Sequence, residues 1–143
     1  MYCIKQDTCH HCVPACLVSF FSDLNIPLSQ KEIIKRCPKE FNKNTKIEGS
    51  INSDDLIKEN KVSNEFGIKV QVCPPDNINL SKNKTLFLFV KWENNKSDNH
   101  CIRFYHATTS YVYFMNPTHG KIEHCDIKTL YSWITIPILI TKT

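Results

Sequence analysis

No apolar run in this sequence approaches the roughly 20 residues that cross a bilayer, so no membrane-spanning helix is expected. The opening Met1-Tyr2-Cys3-Ile4-Lys5-Gln6 is polar at once and no hydrophobic region follows it, so no secretory signal peptide is expected. The chain therefore reads as soluble, with its location open between a bacterial cytoplasm and secretion or injection by a signal that is not recognisable. Glycine is scarce: only Gly49, Gly67 and Gly120 occur, each where the backbone has a positional need. There is no internal repeat and no low-complexity segment, which excludes solenoids and disordered arrays. A clustered basic patch is missing too. Eighteen basic residues face fourteen acidic ones, spread along the chain, and a net charge of +4 so distributed is a poor argument for nucleic acid.

What is present is one domain of 143 residues with globular composition. Cys12 to Leu24 reads as a helix. Ala15, Leu17, Val18, Phe20, Phe21 and Leu24 give it the wide apolar face of a central buried helix, and Pro14 falls in its first turn. Ser29-Gln30-Lys31-Glu32 is a capping box that starts a second helix, which Pro38 ends. Residues 39–52 read as loop. Ser53 caps a third helix running to about Glu65, with Gly67 just beyond its end. Ile68–Cys73 alternates as a strand, stopped by Pro74-Pro75. Further short β-type runs follow at Leu86–Trp92, Cys101–His106, Tyr111–Met115 and Lys121–Cys125. A short helix near Leu130–Trp133 and a last strand, Ile136–Ile140, close the sequence. Helices first and an antiparallel sheet afterwards is an α+β layout.

The eight cysteines lie at 3, 9, 12, 16, 37, 73, 101 and 125. Without a secretory signal, disulfides are the weaker reading. Most sit in apolar stretches and are expected to act as small buried hydrophobes. Cys9-x-x-Cys12 is half of a zinc knuckle, but a closed site needs a second pair at matching spacing and the other cysteines are scattered. No metal or other cofactor is expected.

Cys12 has a more specific setting. It stands where an irregular segment turns into the first helix, and the unpaired N–H groups of a helix start favour a thiolate. A cysteine nucleophile also needs a base and a group to orient that base. His100 opens a predicted strand, and Asn116 ends the next one at Asn116-Pro117, so adjacent antiparallel strands would bring the two side chains together. Gln6, upstream of Cys12, can donate to an oxyanion beside the backbone N–H of the nucleophile. His10, His11, His106, His119 and His124 are weaker bases. His10 and His11 fall on the loop before the helix, where they line a cleft or are solvated. His119 is expected to be exposed. Cys9 is the competing nucleophile, without the helix-start position.

These residues carry a family resemblance. Gln6-x5-Cys12-Val13-Pro14-Ala15-Cys16-Leu17 resembles the Q-x5-C-G-x-A-C-L opening of the bacteriocin-processing, double-glycine leader peptidases, which are papain-like cysteine proteases. Downstream, His100-Cys101-Ile102-Arg103 is similar to the family's H-F-V-V strand. Tyr113-Phe114-Met115-Asn116-Pro117-x-x-Gly120 is similar to its v-x-D-P-x-x-G. The resemblance spans nearly the whole chain. It implies a papain-like α+β fold with Cys12 as nucleophile, His100 as general base and later acid, Asn116 orienting the imidazole, and Gln6 as oxyanion donor. The sequence departs in two places: Val13 stands where the family has Gly, and Asn116 where it has Asp. In the family such a domain heads an export transporter and cuts leader peptides after Gly-Gly. The implied partners are therefore a peptide or protein substrate and an export transporter. A free-standing bacterial effector acting on a host protein, as a protease or deamidase, is the alternative enzyme. A non-catalytic peptide-binding module of the same fold is the alternative outside enzymology.

Overall fold

The structure is a computed structural model, and it describes residues 1–42, 49–58, 60–72, 80–91 and 100–143. Five helical segments come first: α1 (Cys12–Asp23), α2 (Gln30–Arg36), α3 (Pro38–Phe41), α4 (Ser53–Lys58) and α5 (Asn60–Phe66). The strands β1 (Ile68–Val72), β2 (Lys84–Val90), β3 (His100–Ala107), β4 (Tyr111–Asn116) and β5 (Lys121–Asp126) follow. Helix α6 (Ile127–Trp133) and strand β6 (Ile134–Lys142) end the fold.

All strand pairs are antiparallel, in the order β1-β6-β2-β3-β4-β5. The last strand thus lies inside the sheet, between the first two. Both faces of the sheet centre are covered. Phe87, Phe89, Cys101, Met115 and Ile138 face the helical layer, where they meet Val13, Cys16, Leu17 and Phe20 of α1. Leu86, Leu88, Val90, Ile102 and Phe114 face the other way, under Leu130 of α6. Double burial explains why the β2 sequence is one apolar run rather than an alternation.

Helix α1 is buried from Val13 to Phe21, as its wide apolar face predicts. It is fastened to the sheet by Arg103 of β3, which is 5% exposed. The guanidinium donates from Nε to Thr85 Oγ1 at 2.7 Å and from Nη1 to Ser19 Oγ at 2.8 Å. It also pairs with Asp23 Oδ2 at 2.7 Å. Ser19 Oγ in turn donates to the Tyr2 carbonyl, and Asp23 Oδ1 accepts from Tyr2 N, so the same cluster ties down the N-terminal segment. A buried cation is tolerable because its donors are used and a carboxylate faces it.

Three local readings differ from the structure. Pro38 opens the short helix α3, where its missing N–H costs nothing, instead of leading into a loop. Asn52, not Ser53, caps α4: its Oδ1 accepts from Asp55 N at 2.8 Å. The third helix is described as two segments, α4 and α5, with residue 59 outside the described residues, as are Cys73, Pro74, Pro75 and Trp92. Among the described cysteines, Cys16, Cys37 and Cys101 are buried, Cys12 and Cys125 half-buried, and Cys3 and Cys9 exposed. Burial of most cysteines is therefore corrected for those residues.

Candidate active site

The start of α1 carries Cys12. His11 is the N-cap residue, with no side-chain cap hydrogen bond to the first turn, so the helix N–H groups stay available. The backbone amides of Cys101 on β3, Val13 and Cys12 act on the Cys12 thiol in the direction that favours the thiolate. Cys101 is the strand residue that follows His100. One helical turn on, Cys16 Sγ lies 3.6 Å from the Cys101 carbonyl, so α1 and β3 are in contact here.

His100 is the first residue of β3 and Asn116 the last of β4. Antiparallel pairing puts both at one end of the sheet. His100 Nε2 and Asn116 Oδ1 are 2.8 Å apart. Thr118 Oγ1 lies 3.3 Å from the same ring nitrogen. Asn116 is buried, and Thr118 N donates to its Oδ1 at 3.1 Å.

Gln6 lies on the extended N-terminal segment, and three contacts set its backbone. Gln6 N donates to the Pro117 carbonyl at 2.8 Å. The buried Gln30 side chain brackets it: Nε2 donates to Lys5 O and Oε1 accepts from Asp7 N, both at 2.8 Å. Gly120 (φ +64°) lets the Lys5 backbone approach, since a Cβ there would lie 2.8 Å from Lys5 N. The Gln6 Oε1 is buried without a hydrogen-bond partner.

The electrostatics depart from the helix-start expectation. The amide contacts do favour the Cys12 thiolate, but burial is the larger effect, with Cys16 nearby adding to it. The Cys12 thiol is pushed up to about 12. His100 moves the other way: burial lowers it, although Asn116 and the charge of Glu123 partly oppose that. Both shifts favour a neutral Cys12 thiol and a neutral His100 imidazole at rest.

The remaining histidines are placed as follows. His11 is buried, not solvated; its Nδ1 has no hydrogen-bond partner, and Gly49 packs against its ring. His10 is exposed. His119 is exposed as expected and pairs with Glu123. Glu123, on the edge strand β5, is the site residue that sequence reasoning missed: Asn116 Nδ2 donates to its Oε2 at 2.9 Å. A cleft of about 800 Å³ opens beside the helix start, bounded by Asp7, His10, His11, Lys31, Ile34 and Lys35 among others.

Solved structures were compared with this fold. The peptidase domain of Streptococcus ComA, a bifunctional ABC transporter involved in a quorum-sensing pathway, superimposes with a TM-score of 0.72. That alignment covers 99% of this chain and 98% of the ComA domain, at 11% identity. The fold is that of the double-glycine peptidases. A double-glycine motif protease from an AMS/PCAT transporter, solved with a leader peptide, aligns with a TM-score of 0.65. There the coverage is 99% of this chain and 91% of the protease, at 13% identity. No protein-family description matches the sequence, and no curated protein does. The papain-like α+β architecture expected from the motifs is thus the architecture observed, over essentially the full length of both neighbours.

Proposed function

We propose that the protein is a cysteine peptidase that cuts a leader peptide after a Gly-Gly pair. The observation that carries this reading is the paired geometry at the sheet end. His100 and Asn116 are joined at 2.8 Å, and the helix that begins at Cys12 meets β3 where Cys16 Sγ lies 3.6 Å from the carbonyl of Cys101, the residue next to His100. The two fold neighbours, one of them solved with a leader peptide, support the substrate class.

In this reading Asn116 Oδ1 accepts from His100 Nε2–H, and His100 Nδ1 serves Cys12. The Cys12 thiol loses its proton to His100 as the sulfur attacks the scissile carbonyl. The developing oxyanion is held by the Cys12 N–H and the Gln6 side-chain amide. His100 then protonates the leaving amine, a thioester remains on Cys12, and water activated by His100 releases the acid. The Gln6 backbone is held by contacts on both sides of it, so the segment that carries the donor is in place before substrate arrives. An export transporter is the partner that fits a leader-peptide substrate.

The test is cleavage of a synthetic peptide carrying an internal Gly-Gly, followed by mass spectrometry. Cys12→Ala and His100→Ala abolish turnover, and Asn116→Ala reduces it less. Turnover that survives Cys12→Ala but is lost in Cys9→Ala overturns the assignment of the nucleophile.

A further inference from the structure

Asn116 carries no charge, and its amide can be turned either way. Turned with Nδ2 toward His100, it would need a lone pair on Nε2 and leave the ring proton on Nδ1, the nitrogen that must accept from the thiol. Two contacts select the opposite orientation. Asn116 Nδ2 donates to Glu123 Oε2 at 2.9 Å, and an ionised carboxylate can only accept. Thr118 N donates to Asn116 Oδ1 at 3.1 Å. His100 Nε2 then meets that same oxygen at 2.8 Å.

Glu123 is suited to this. Partial burial pushes its carboxyl up, but hydrogen bonds from Asn116 and His119 outweigh burial, and His119 and Lys121 add positive charge. The group is held below the usual carboxylate range. Its second oxygen, Oε1, is occupied by His119 Nδ1. The charged and titratable groups facing Glu123 are thus His119 and Lys121 from the β4–β5 turn and its own strand, and His100 across β4. The Glu123 charge in turn favours the imidazolium form of His100.

We propose that Glu123 is a positioning residue: it fixes the Asn116 amide with its carbonyl toward His100, so the resting imidazole carries its proton on Nε2, and it supplies from behind the negative charge that Asn116 lacks. The catalytic meaning rests on the peptidase reading above; the tautomer does not.

The experiment reads the two separately, on the full chain. Long-range ¹H–¹⁵N spectra at pH 8 report the His100 tautomer, and a pH series reports its midpoint. The wild type shows Nε2–H. Glu123→Ala frees the amide and mixes the tautomers. Glu123→Gln can still accept from Asn116, so it keeps Nε2–H but lowers the His100 midpoint by about half a pH unit through loss of the charge. On the Gly-Gly peptide, kcat/KM falls about tenfold in Glu123→Ala and about threefold in Glu123→Gln, with KM nearly constant. Asn116→Asp combined with Glu123→Gln restores it, because a carboxylate then sits directly on the ring. An Nδ1–H tautomer in the wild type overturns the proposal. So does a Glu123→Gln variant with an unmoved midpoint, which holds even if the alanine variant fails to fold. Expected tautomers with no cleavage of any peptide uphold the positioning role and overturn the peptidase reading.

Discussion

Cys12 should titrate late. Its thiol is moved from 9.0 to about 12, mainly by burial, and His100 is moved down by burial as well. A shift of three units means about a thousandfold less thiolate in the folded chain than in the denatured chain at any pH below 9. The assay is iodoacetamide labelling of Cys12, measured peptide by peptide by mass spectrometry from pH 5 to pH 11, with and without urea. The denatured chain should label with a midpoint near 9. The folded chain should label at a rate that climbs about tenfold per pH unit with no plateau below pH 10. Restricted access slows labelling equally at every pH, so the midpoint separates ionisation from shielding. A selective plateau at pH 5–6 that disappears in His100→Ala would refute the reasoning. It would show a preformed thiolate–imidazolium pair whose mutual attraction exceeds the cost of burial.

Three more outcomes follow from the same contacts. Asp23→Ala strands the buried Arg103 cation and should cost about 3 kcal/mol in urea melts, whereas a loss under about 1 kcal/mol means water reaches the guanidinium. Gly120→Ala combines a φ of +64° with a Cβ placed 2.8 Å from Lys5 N, so it should cost about 1–3 kcal/mol and lower kcat/KM through Gln6; unchanged kinetics would disconnect the two. Stability should fall as pH rises past 9. The folded Cys12 and Cys37 thiols are raised to about 12 and about 11, so the denatured chain releases their protons first. Below pH 9 both states keep those protons and the contribution is flat; above it, each thiol removes up to about 1.4 kcal/mol per pH unit until its folded pKa is reached. Urea midpoints that hold level from pH 8 to pH 10 contradict this.

The elements were legible where local chemistry decides them. The apolar face of α1, the Ser29 cap of α2 and the β runs all follow from period and composition, and each element forms close to its expected bounds. The strand order was not legible. Strand β6 enters between β1 and β2, a pairing set by tertiary packing that no local pattern encodes. His100 and Asn116 could be brought together on paper because adjacent strands tend to pair. Glu123 could not, since its reach to Asn116 depends on the β4–β5 register, in which Glu123 stands opposite Phe114 on the same face. The helix-start argument for a Cys12 thiolate leaves out burial for a related reason: helix position is visible in sequence, but the burial that opposes it is not. Asn52 and Ser53 are both good caps, and only geometry chooses between them.

The site divides between two layers, and that division explains the placement of otherwise structural residues. The helical layer presents Cys12. The sheet presents His100 and Asn116 from adjacent strands. Gln6 belongs to neither and crosses the seam, held on the helical side by Gln30 and on the sheet side by Pro117 and Gly120. Any sliding of one layer over the other would therefore move Gln6 relative to both Cys12 and His100, the residues to which the proposed mechanism gives the chemistry. Arg103 opposes that sliding from within the seam, donating to Ser19 on α1 and to Thr85 on β2, with Asp23 as counter-charge. A buried Arg–Asp pair is a poor source of net stability. Its directional hydrogen bonds across the layers hold α1 against the sheet, and the proposed arrangement of Cys12, His100 and Gln6 depends on that register.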